Sequence, residues 1–328
     1  MMEERARAVY FTAPRRIEVR EETLHPKSGH VLVRSEVIGI SHGTEMLFFR
    51  NEVAAGMEAD STLDALAGSS RYPVKYGYTN AGFDESGGKV FAFYPHQDLF
   101  YAACNDLIAL PADMELEDAV FLANMETAAT IVQDAVPVLG ETVLVAGQGV
   151  VGLLVAELMR LSHYGTVITV DRFDTRRRAA FELGCAVISP EDPDAGRRIE
   201  ELTHGRGVDV AVNVSGSAQA LQLALDSLAF GGTVVEASWY GTKETSLRLG
   251  RSFHRKRLKI RSSQVSTVEP ALSGRWGKPR IRELAVRLLE VVRPSKYITH
   301  RFPLDDAQAA FRLLDEHPEE TIQVVLLP

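Results

Sequence analysis

Apolar and polar residues alternate in short runs along the first third of the chain, and turn residues separate these runs. The alternation predicts a hairpin from strands at residues 6–10 and 16–20, with further strands at 31–40 and 89–93. Glycine, proline and aspartate recur between the runs, which is typical of an all-β domain with short connections. Residues 50–70 are polar and rich in alanine, so they are predicted to form a helix or a mobile loop.

The pattern changes after a predicted helix at residues 117–135, which Pro137 ends. Short β-branched runs follow, at residues 142–146, 166–171, 186–189, 208–214, 233–238 and 258–262. Helical segments separate most of these runs, at residues 150–162, 175–183, 194–203 and 218–229. Strands that alternate with helices predict βαβ units, and therefore a parallel sheet.

The last part of the chain combines an amphipathic helix at residues 280–292 with a strand–helix–strand tail at 298–327. We expect this tail to return to the first domain. The sequence therefore predicts an α/β protein with two domains. Residues 1–120 and 268–328 are expected to form the β-rich domain, and residues 121–267 a doubly wound parallel sheet.

Composition and charge narrow the possible functions. The 328 residues carry a formal net charge of −8 without a polybasic segment, which argues against nucleic acid and membrane surfaces as partners. No apolar run reaches the roughly 20 residues of a membrane-spanning helix, and the N-terminal residues lack the apolar core of a signal peptide. The two cysteines, Cys104 and Cys185, exclude a disulfide framework and a four-cysteine zinc lobe. We therefore expect a cytoplasmic protein.

Three glycines at the junction of the predicted strand at residues 142–146 and the predicted helix at 150–162 indicate a dinucleotide site. Gly147, Gly149 and Gly152 form G-x-G-x-x-G directly after a predicted strand, and Val150 and Val151 open the following helix. The first glycine permits a tight turn, the second lets the backbone approach a pyrophosphate, and the third allows close packing of the helix. The N-terminus of that helix supplies amide donors and a positive dipole for the phosphates.

Asp171 ends the next predicted strand, where a carboxylate accepts hydrogen bonds from the adenosine ribose and repels a 2′-phosphate. This position favours NAD over NADP. Arg172 and the cluster at residues 176–178 leave NADP open, because arginines there can hold a 2′-phosphate, although Arg172 could instead stack on adenine. Ser215 and Ser238 follow two further strands and are expected to line the same cofactor crevice.

The arrangement resembles the medium-chain dehydrogenase/reductase superfamily over nearly the whole chain. Residues 205–210 and 231–235 look like its fourth and fifth Rossmann strands. Five other segments resemble a branch described as zinc-binding alcohol dehydrogenase, namely Ser41–Glu45, Lys75–Tyr78, Phe93–Gln97, Asn124–Thr127 and Ser238–Gly241. The segment Ser41–Glu45 also resembles a loop of the bacteriochlorophyllide hydroxyethyl dehydrogenases.

The resemblance implies a GroES-like catalytic domain beside a Rossmann domain, with hydride transfer on a small molecule in a water-poor cleft between them. It also implies a homodimer or homotetramer. Asn124 and Thr127 match positions that contact the nicotinamide in relatives, although capping of a helix would explain both residues as well. The basic run at residues 251–261 matches a segment leading into the last Rossmann strand, so we interpret it as a solvated turn.

The sequence departs from the zinc-dependent members at the ligand positions, where at most His42 remains as a good ligand. The first cysteine position falls on His42 or, in a shifted alignment, on Ser41. Tyr78 replaces the histidine of the G-H-E loop, and the third ligand position falls on Ala123 or Asn124. A catalytic zinc needs three good protein donors, so we predict an enzyme without zinc.

An unorthodox zinc site built from Glu45, His96 and Glu126 is the alternative. Without a metal, a protein group must donate to the alkoxide that develops during ketone reduction, or act as the base in the reverse reaction. The candidates are His42, Thr44, Glu45, Tyr78 and His96.

These residues predict a nicotinamide-dependent oxidoreductase that acts on a secondary alcohol/ketone pair. A metal-free, NADPH-dependent enoyl or quinone reductase is the second reading, because hydride addition to an activated C=C bond needs little acid–base machinery. A nicotinamide-binding protein without turnover is the third.

Overall fold

A computed structural model of the chain describes residues 4–54, 64–66, 68–162 and 165–328. Its strands are β1 (Glu4–Ala13), β2 (Arg16–Leu24), β3 (His30–Gly39), β4 (Val74–Lys75), β5 (Asn80–Asp84), β6 (Lys89–Ala92), β7 (Leu99–Ala103), β8 (Leu107–Ala109), β9 (Val143–Ala146), β10 (Val167–Val170), β11 (Ala186–Ile188), β12 (Val208–Asn213), β13 (Leu228–Glu236), β14 (Lys259–Ser262), β15 (Ile298–Pro303) and β16 (Gln323–Leu327).

The α-helices are α1 (Thr44–Arg50), α2 (Leu116–Ala119), α3 (Leu122–Ala135), α4 (Val150–Ser162), α5 (Asp174–Glu182), α6 (Ala195–Leu202), α7 (Ala218–Ser227), α8 (Ser252–Arg255), α9 (Lys278–Val292) and α10 (Ala307–Glu316). The chain divides into two compact units. The first unit comprises Met1–Ala123 and Val286–Pro328, and the second comprises Asn124–Ala285.

The first unit is β-rich. β1 and β2 form the predicted antiparallel hairpin, and β4 pairs with the other edge of β1. A second sheet has the order β15-β16-β3-β5-β6-β8, and β7 also pairs with β3. As predicted, the tail returns to this unit, because β16 pairs with β3 in antiparallel fashion and Phe311 of α10 packs edge-on against Phe11 at 5.2 Å. Fully buried aromatic side chains therefore join the two ends of the chain in one core.

The second unit contains six parallel strands in the order β11-β10-β9-β12-β13-β14, which is the doubly wound order 3-2-1-4-5-6. The strands are apolar because helices cover a parallel sheet on both faces; β9 and β10 are buried throughout. Val170, Ala146, Asn213 and Glu236 pair in register and stand at one level near the carboxyl ends of four adjacent strands. The predicted α/β fold is thus confirmed.

The structure corrects two details of the prediction. The single helix expected at residues 117–135 is divided into α2 and α3, with Val120 and Phe121 between them. The interpretation of residues 50–70 as a helix or loop lies partly outside the described residues, which do not include 55–63 and 67.

The division between the units also differs from the predicted boundary at residue 268. It falls within α9, after Ala285. Lys278 and Arg282 at the start of this helix both pair with Glu126 of α3, which associates the first half of α9 with the second unit.

Candidate active site and cofactor site

The glycine turn after β9 has no room for side chains at two of its three glycines. Gly147 has φ +94°, and a Cβ there would lie 2.8 Å from the Ser215 Cα atom. A Cβ on Gly152 would lie 1.8 Å from the Gly147 carbonyl oxygen, so the helix α4 packs directly on the turn. Gly149 is more open, since the nearest atom to an added Cβ is the Arg176 Nη1 at 3.8 Å. The backbone of the turn is therefore tightly held, and the face at Gly149 has space in front of it.

Asp171 lies beside this turn, directly after β10. Its Oδ2 atom accepts a hydrogen bond from the backbone N–H of Gln148 at 2.6 Å, and its Oδ1 atom accepts one from that of Phe173 at 2.8 Å. The side chain is mostly buried. A carboxylate has about four acceptor sites, so two remain after these bonds. The geometry holds the carboxylate next to the second position of the glycine motif.

The arginines after Asp171 have different partners. The Arg172 guanidinium is exposed and stacks over the Phe173 ring, at 4.4 Å from its centroid. Arg177 donates to the backbone carbonyls of Asp171 and Arg172, and Arg178 pairs with Asp174 at the start of α5.

Arg176 approaches the glycine turn. Burial lowers the pKa of Arg176, and the nearby Asp171 carboxylate acts in the opposite direction. Among the contacts described above, Arg176 is therefore the member of the cluster that approaches the glycine turn.

A polar cluster occupies the carboxyl ends of β12 and β13. The Ser215 hydroxyl donates to the Asn213 Oδ1 atom at 2.7 Å, and the Ser238 hydroxyl accepts from the backbone N–H of Gly216 at 3.0 Å. Asn213 is fully buried, and its amide donates to the Glu236 carboxylate at 2.7 Å. The two predicted serines are thus brought to one place.

In the first unit, the structure joins two loops that the sequence comparison with zinc enzymes had singled out. The Tyr78 hydroxyl donates to the Ser41 Oγ atom at 2.6 Å, and both side chains are half-buried. Tyr76, two residues before Tyr78, stacks on Phe48 of α1 with ring centroids 3.8 Å apart. Because α1 begins three residues after Ser41, this stacking holds the two loops together. Two hydroxyls therefore meet, one at the shifted alternative for the cysteine position and one at the position of the histidine.

Glu45 and His96 form a pair beneath these loops. The His96 Nε2 atom lies 2.7 Å from the Glu45 Oε2 atom, and both side chains are 0% exposed. The Glu45 Oε1 atom accepts from the backbone N–H of Ser41 at 2.9 Å, so the pair is attached to the Ser41 loop. Gly77 makes room for it: with φ +113°, its missing Cβ would lie 2.3 Å from the His96 ring. These two candidate catalytic residues are therefore completely buried and in contact with each other.

The remaining predicted residues lie on the same local elements. His42 and Thr44 are half-buried beside Ser41, and Thr44 is the first residue of α1. Asn124 and Thr127 are both half-buried and lie one turn apart on α3, so they share one face of that helix.

The residues aligned with zinc ligands form a poor donor set. Ser41, in the shifted alignment, and Tyr78 offer neutral hydroxyls in place of thiolate and imidazole, and a phenol ionises only near pH 10, so His42 is the one good donor at these positions. The Glu126 carboxylate, a candidate ligand of the alternative site, is buried and already held by Lys278 at 3.1 Å and Arg282 at 2.8 Å. In the described ranges, the one group of three metal-ligating side chains close enough to share an ion is the exposed set His317, Glu319 and Glu320.

Other parts of the described chain hold fewer side chains that could react or bind a ligand. Most basic residues at 251–261 are exposed, in agreement with a solvated turn. Cys104 and Cys185 are both free, and burial raises the pKa of Cys185 to about 11, which keeps it in the unreactive thiol form. Within the part of the chain described, no helix has both the length and the apolar character to span a bilayer.

Comparisons of the sequence and of the fold with known proteins both find dehydrogenases. Residues 150–278 match the family model of the zinc-binding dehydrogenases. The chain is 29% identical to the D-guloside 3-dehydrogenase of Escherichia coli K12 over 226 residues, which are 66% of this chain and 63% of the relative. It is also 29% identical to the NADP-dependent isopropanol dehydrogenase of Thermoanaerobacter brockii over 68% of this chain and 62% of that protein. The alignments thus span less than two thirds of these relatives.

The solved structure of L-idonate 5-dehydrogenase from Escherichia coli has the same fold, with a TM-score of 0.80 and 15% identity over 100% of this chain and 99% of that one. Together the matches support the medium-chain dehydrogenase/reductase superfamily and an oxidoreductase.

Several site residues escaped the sequence analysis. Ser41 was predicted only as an aligned ligand position, because its hydrogen bond with Tyr78, 37 residues away, cannot be read from the sequence. Glu236, Asn213 and Tyr240 were not predicted as site residues, although Tyr240 lies in the segment Ser238–Gly241. The one available signal was their place at or just after the ends of predicted strands, where parallel sheets bind ligands.

Proposed function

We propose that this chain is a nicotinamide-dependent oxidoreductase that prefers NAD and acts on a secondary alcohol/ketone pair without catalytic zinc. The observation that carries the zinc-independent part is the hydrogen bond between Tyr78 and Ser41. In the shifted alignment, it replaces two metal-ligand positions by a pair of hydroxyls that can exchange a proton. The relatives named above support the oxidoreductase class, and one of them is NADP-dependent by name.

The second unit would bind the cofactor. The turn at Gly147 and Gly149 would hold the pyrophosphate on backbone N–H groups at the N-terminus of α4. Asp171 would accept hydrogen bonds from the adenosine ribose, and its charge would oppose a 2′-phosphate. Arg176 would contribute positive charge beside the turn. When bound, the nicotinamide supplies or accepts the hydride.

The first unit would handle the proton. Tyr78 donates to the Ser41 oxygen, which leaves the hydroxyl hydrogen of Ser41 available to a substrate oxygen. During ketone reduction, Ser41 would donate its proton to the substrate oxygen as negative charge develops there. Tyr78 would then return a proton to Ser41, and solvent would replace the proton of Tyr78. Alcohol oxidation would run through the same groups in reverse.

Glu45 and His96 would act as positioning residues. Their buried hydrogen bond fixes the backbone of Ser41, whose N–H donates to Glu45. His42 and Thr44 flank Ser41 and would exchange protons between the hydroxyl pair and solvent. Asn124 and Thr127 would approach the nicotinamide from one face of α3.

The test combines cofactor binding, turnover and metal content. Protein purified without added metal would be titrated with NADH and NADPH, then assayed on a panel of secondary alcohols and ketones. We expect tighter binding of NADH, turnover with alcohols or ketones, and no loss of turnover after chelation. Stoichiometric zinc by elemental analysis, together with turnover that a chelator abolishes, would contradict the zinc-free mechanism.

Variants separate this proposal from the second reading. Tyr78→Phe and Ser41→Ala should slow ketone reduction strongly, because each removes a proton-transferring hydroxyl. NADPH-dependent reduction of enones or quinones that both variants retain in full would instead indicate an enoyl or quinone reductase. Tight NADH binding with no turnover on any of these substrate classes would indicate a binding protein.

A further inference from the structure

Glu236 occupies a place in the parallel sheet that mirrors the place of Asp171. In the order β11-β10-β9-β12-β13-β14, the centre of the sheet lies between β9 and β12. A two-fold relation about that centre exchanges β10 with β13. Asp171 directly follows β10, and Glu236 is the last residue of β13. The strand register places Val170 and Glu236 at the same level, so both acids stand at the carboxyl edge of the sheet.

The two carboxylates are also held in similar ways. Asp171 accepts the backbone N–H of the residue two positions later, Phe173, at 2.8 Å, and Glu236 accepts that of Ser238 at 2.8 Å. Each accepts a second bond from the neighbouring central strand or its turn. For Asp171 the donor is the Gln148 N–H, and for Glu236 it is the Asn213 amide at 2.7 Å. Both carboxylates are therefore oriented before any ligand binds.

The Glu236 carboxylate is oriented by three donors and is partly exposed. Glu236 is half-buried, and its Oε2 atom also accepts from the Tyr240 hydroxyl at 3.2 Å. Burial and the Glu236 charge raise the pKa of Tyr240, so its hydroxyl keeps its proton. After these three bonds, the carboxylate retains about one acceptor site for hydroxyl or amide donors. Ser215, which bonds to Asn213, abuts Gly147 of the glycine turn, so the cluster is continuous with the pyrophosphate position.

We propose that Glu236, held by Asn213 and Tyr240, accepts a hydrogen bond from the ribose hydroxyls of the nicotinamide half of the cofactor. In a doubly wound sheet, each half presents the carboxyl ends of its strands to one nucleotide. Asp171 serves the adenosine ribose in the proposed function, on which this inference rests. Glu236 then serves the second ribose, because it holds the equivalent position in the other half.

Three ligands of increasing length locate the contact. ADP lacks the second ribose, ADP-ribose contains it, and NADH contains both that ribose and the nicotinamide. Calorimetric titration would give the Kd of each ligand for the wild type, Glu236→Gln and Tyr240→Phe. Glu200→Gln is the matched control, because Glu200 is an exposed acid of the same unit on α6. Circular dichroism would verify that each variant is folded.

We expect Glu236→Gln to weaken ADP-ribose and NADH about tenfold and to leave ADP unchanged, since a hydrogen bond to a charged group is lost. Tyr240→Phe should weaken the same two ligands by roughly twofold to fivefold, through a less well oriented carboxylate. If Glu236→Gln fails to fold, Tyr240→Phe decides the question alone. Glu200→Gln should bind all three ligands as the wild type does.

Two results would overturn the assignment. Unchanged ADP-ribose and NADH binding in both variants would show that Glu236 does not contact the cofactor. Weakening of NADH alone would place the contact at the nicotinamide ring and refute the ribose assignment. A wild-type protein that binds none of the three ligands would instead refute the proposed function itself.

Discussion

Replacement of Glu45 by alanine tests how strongly the Glu45–His96 pair supports the first unit. Both side chains are 0% exposed, so water cannot take the place of a lost partner. Glu45→Ala would leave the His96 Nε2 atom and the Ser41 N–H without their acceptor. Breaking a buried pair by removing one partner costs about 3–5 kcal/mol. For a protein unit of this size, that corresponds to a fall in melting temperature of roughly 10 °C.

Two further variants separate charge, hydrogen bonding and packing. Glu45→Gln keeps the size of the side chain and can still accept from Ser41, so we expect a loss of only about 1 kcal/mol. The double variant with Glu45→Met and His96→Leu removes both polar groups and retains apolar volume. It should be more stable than Glu45→Ala, since replacing a whole buried pair by apolar residues is often nearly neutral.

Unfolding should be followed by two signals. Both tryptophans, Trp239 and Trp276, belong to the second unit, so their fluorescence reports that unit, whereas far-UV circular dichroism reports both. We expect the dichroism transition of Glu45→Ala to begin at lower temperature than the fluorescence transition. A Glu45→Ala variant within 1 kcal/mol of the wild type, or a double variant no more stable than it, would refute the reasoning.

Three further predictions concern the site. Tyr78→Phe should lower kcat for ketone reduction about a hundredfold, as expected for a lost acid–base group, with NADH binding unchanged; an unaltered kcat would remove Tyr78 and Ser41 from the proton path. Asp171→Ser should weaken NADH about tenfold and narrow or invert the preference over NADPH, whereas tighter NADPH binding by the wild type would already contradict its role. Gly152→Ala should abolish NADH binding, because the alanine Cβ would lie 1.8 Å from the Gly147 carbonyl oxygen. Gly149→Ala is the control expected to fold normally, since its Cβ would lie 3.8 Å from the nearest atom, the Arg176 Nη1.

The sequence determined the features that depend on neighbouring residues. The alternation of β-branched runs and helical segments predicted the parallel sheet, and the structure has all six of its strands. The glycine spacing predicted the turn after β9, because a left-handed backbone and a close helix contact each require glycine within a few residues. Such requirements are local, and a single sequence displays them directly.

Only the tertiary structure decided which distant side chains meet. Glu45 and His96 are 51 residues apart, and Glu126 is more than 150 residues from both of its cationic partners. Glu45 and Glu126 are candidate site residues whose partners packing alone brings to them, His96 for the first and two cations of α9 for the second. Glu236 likewise gains its candidate role only from the strand order and register, which give it the position that mirrors that of Asp171. Strand neighbours and register depend on how the whole chain packs, so the residue pattern of one segment does not contain them.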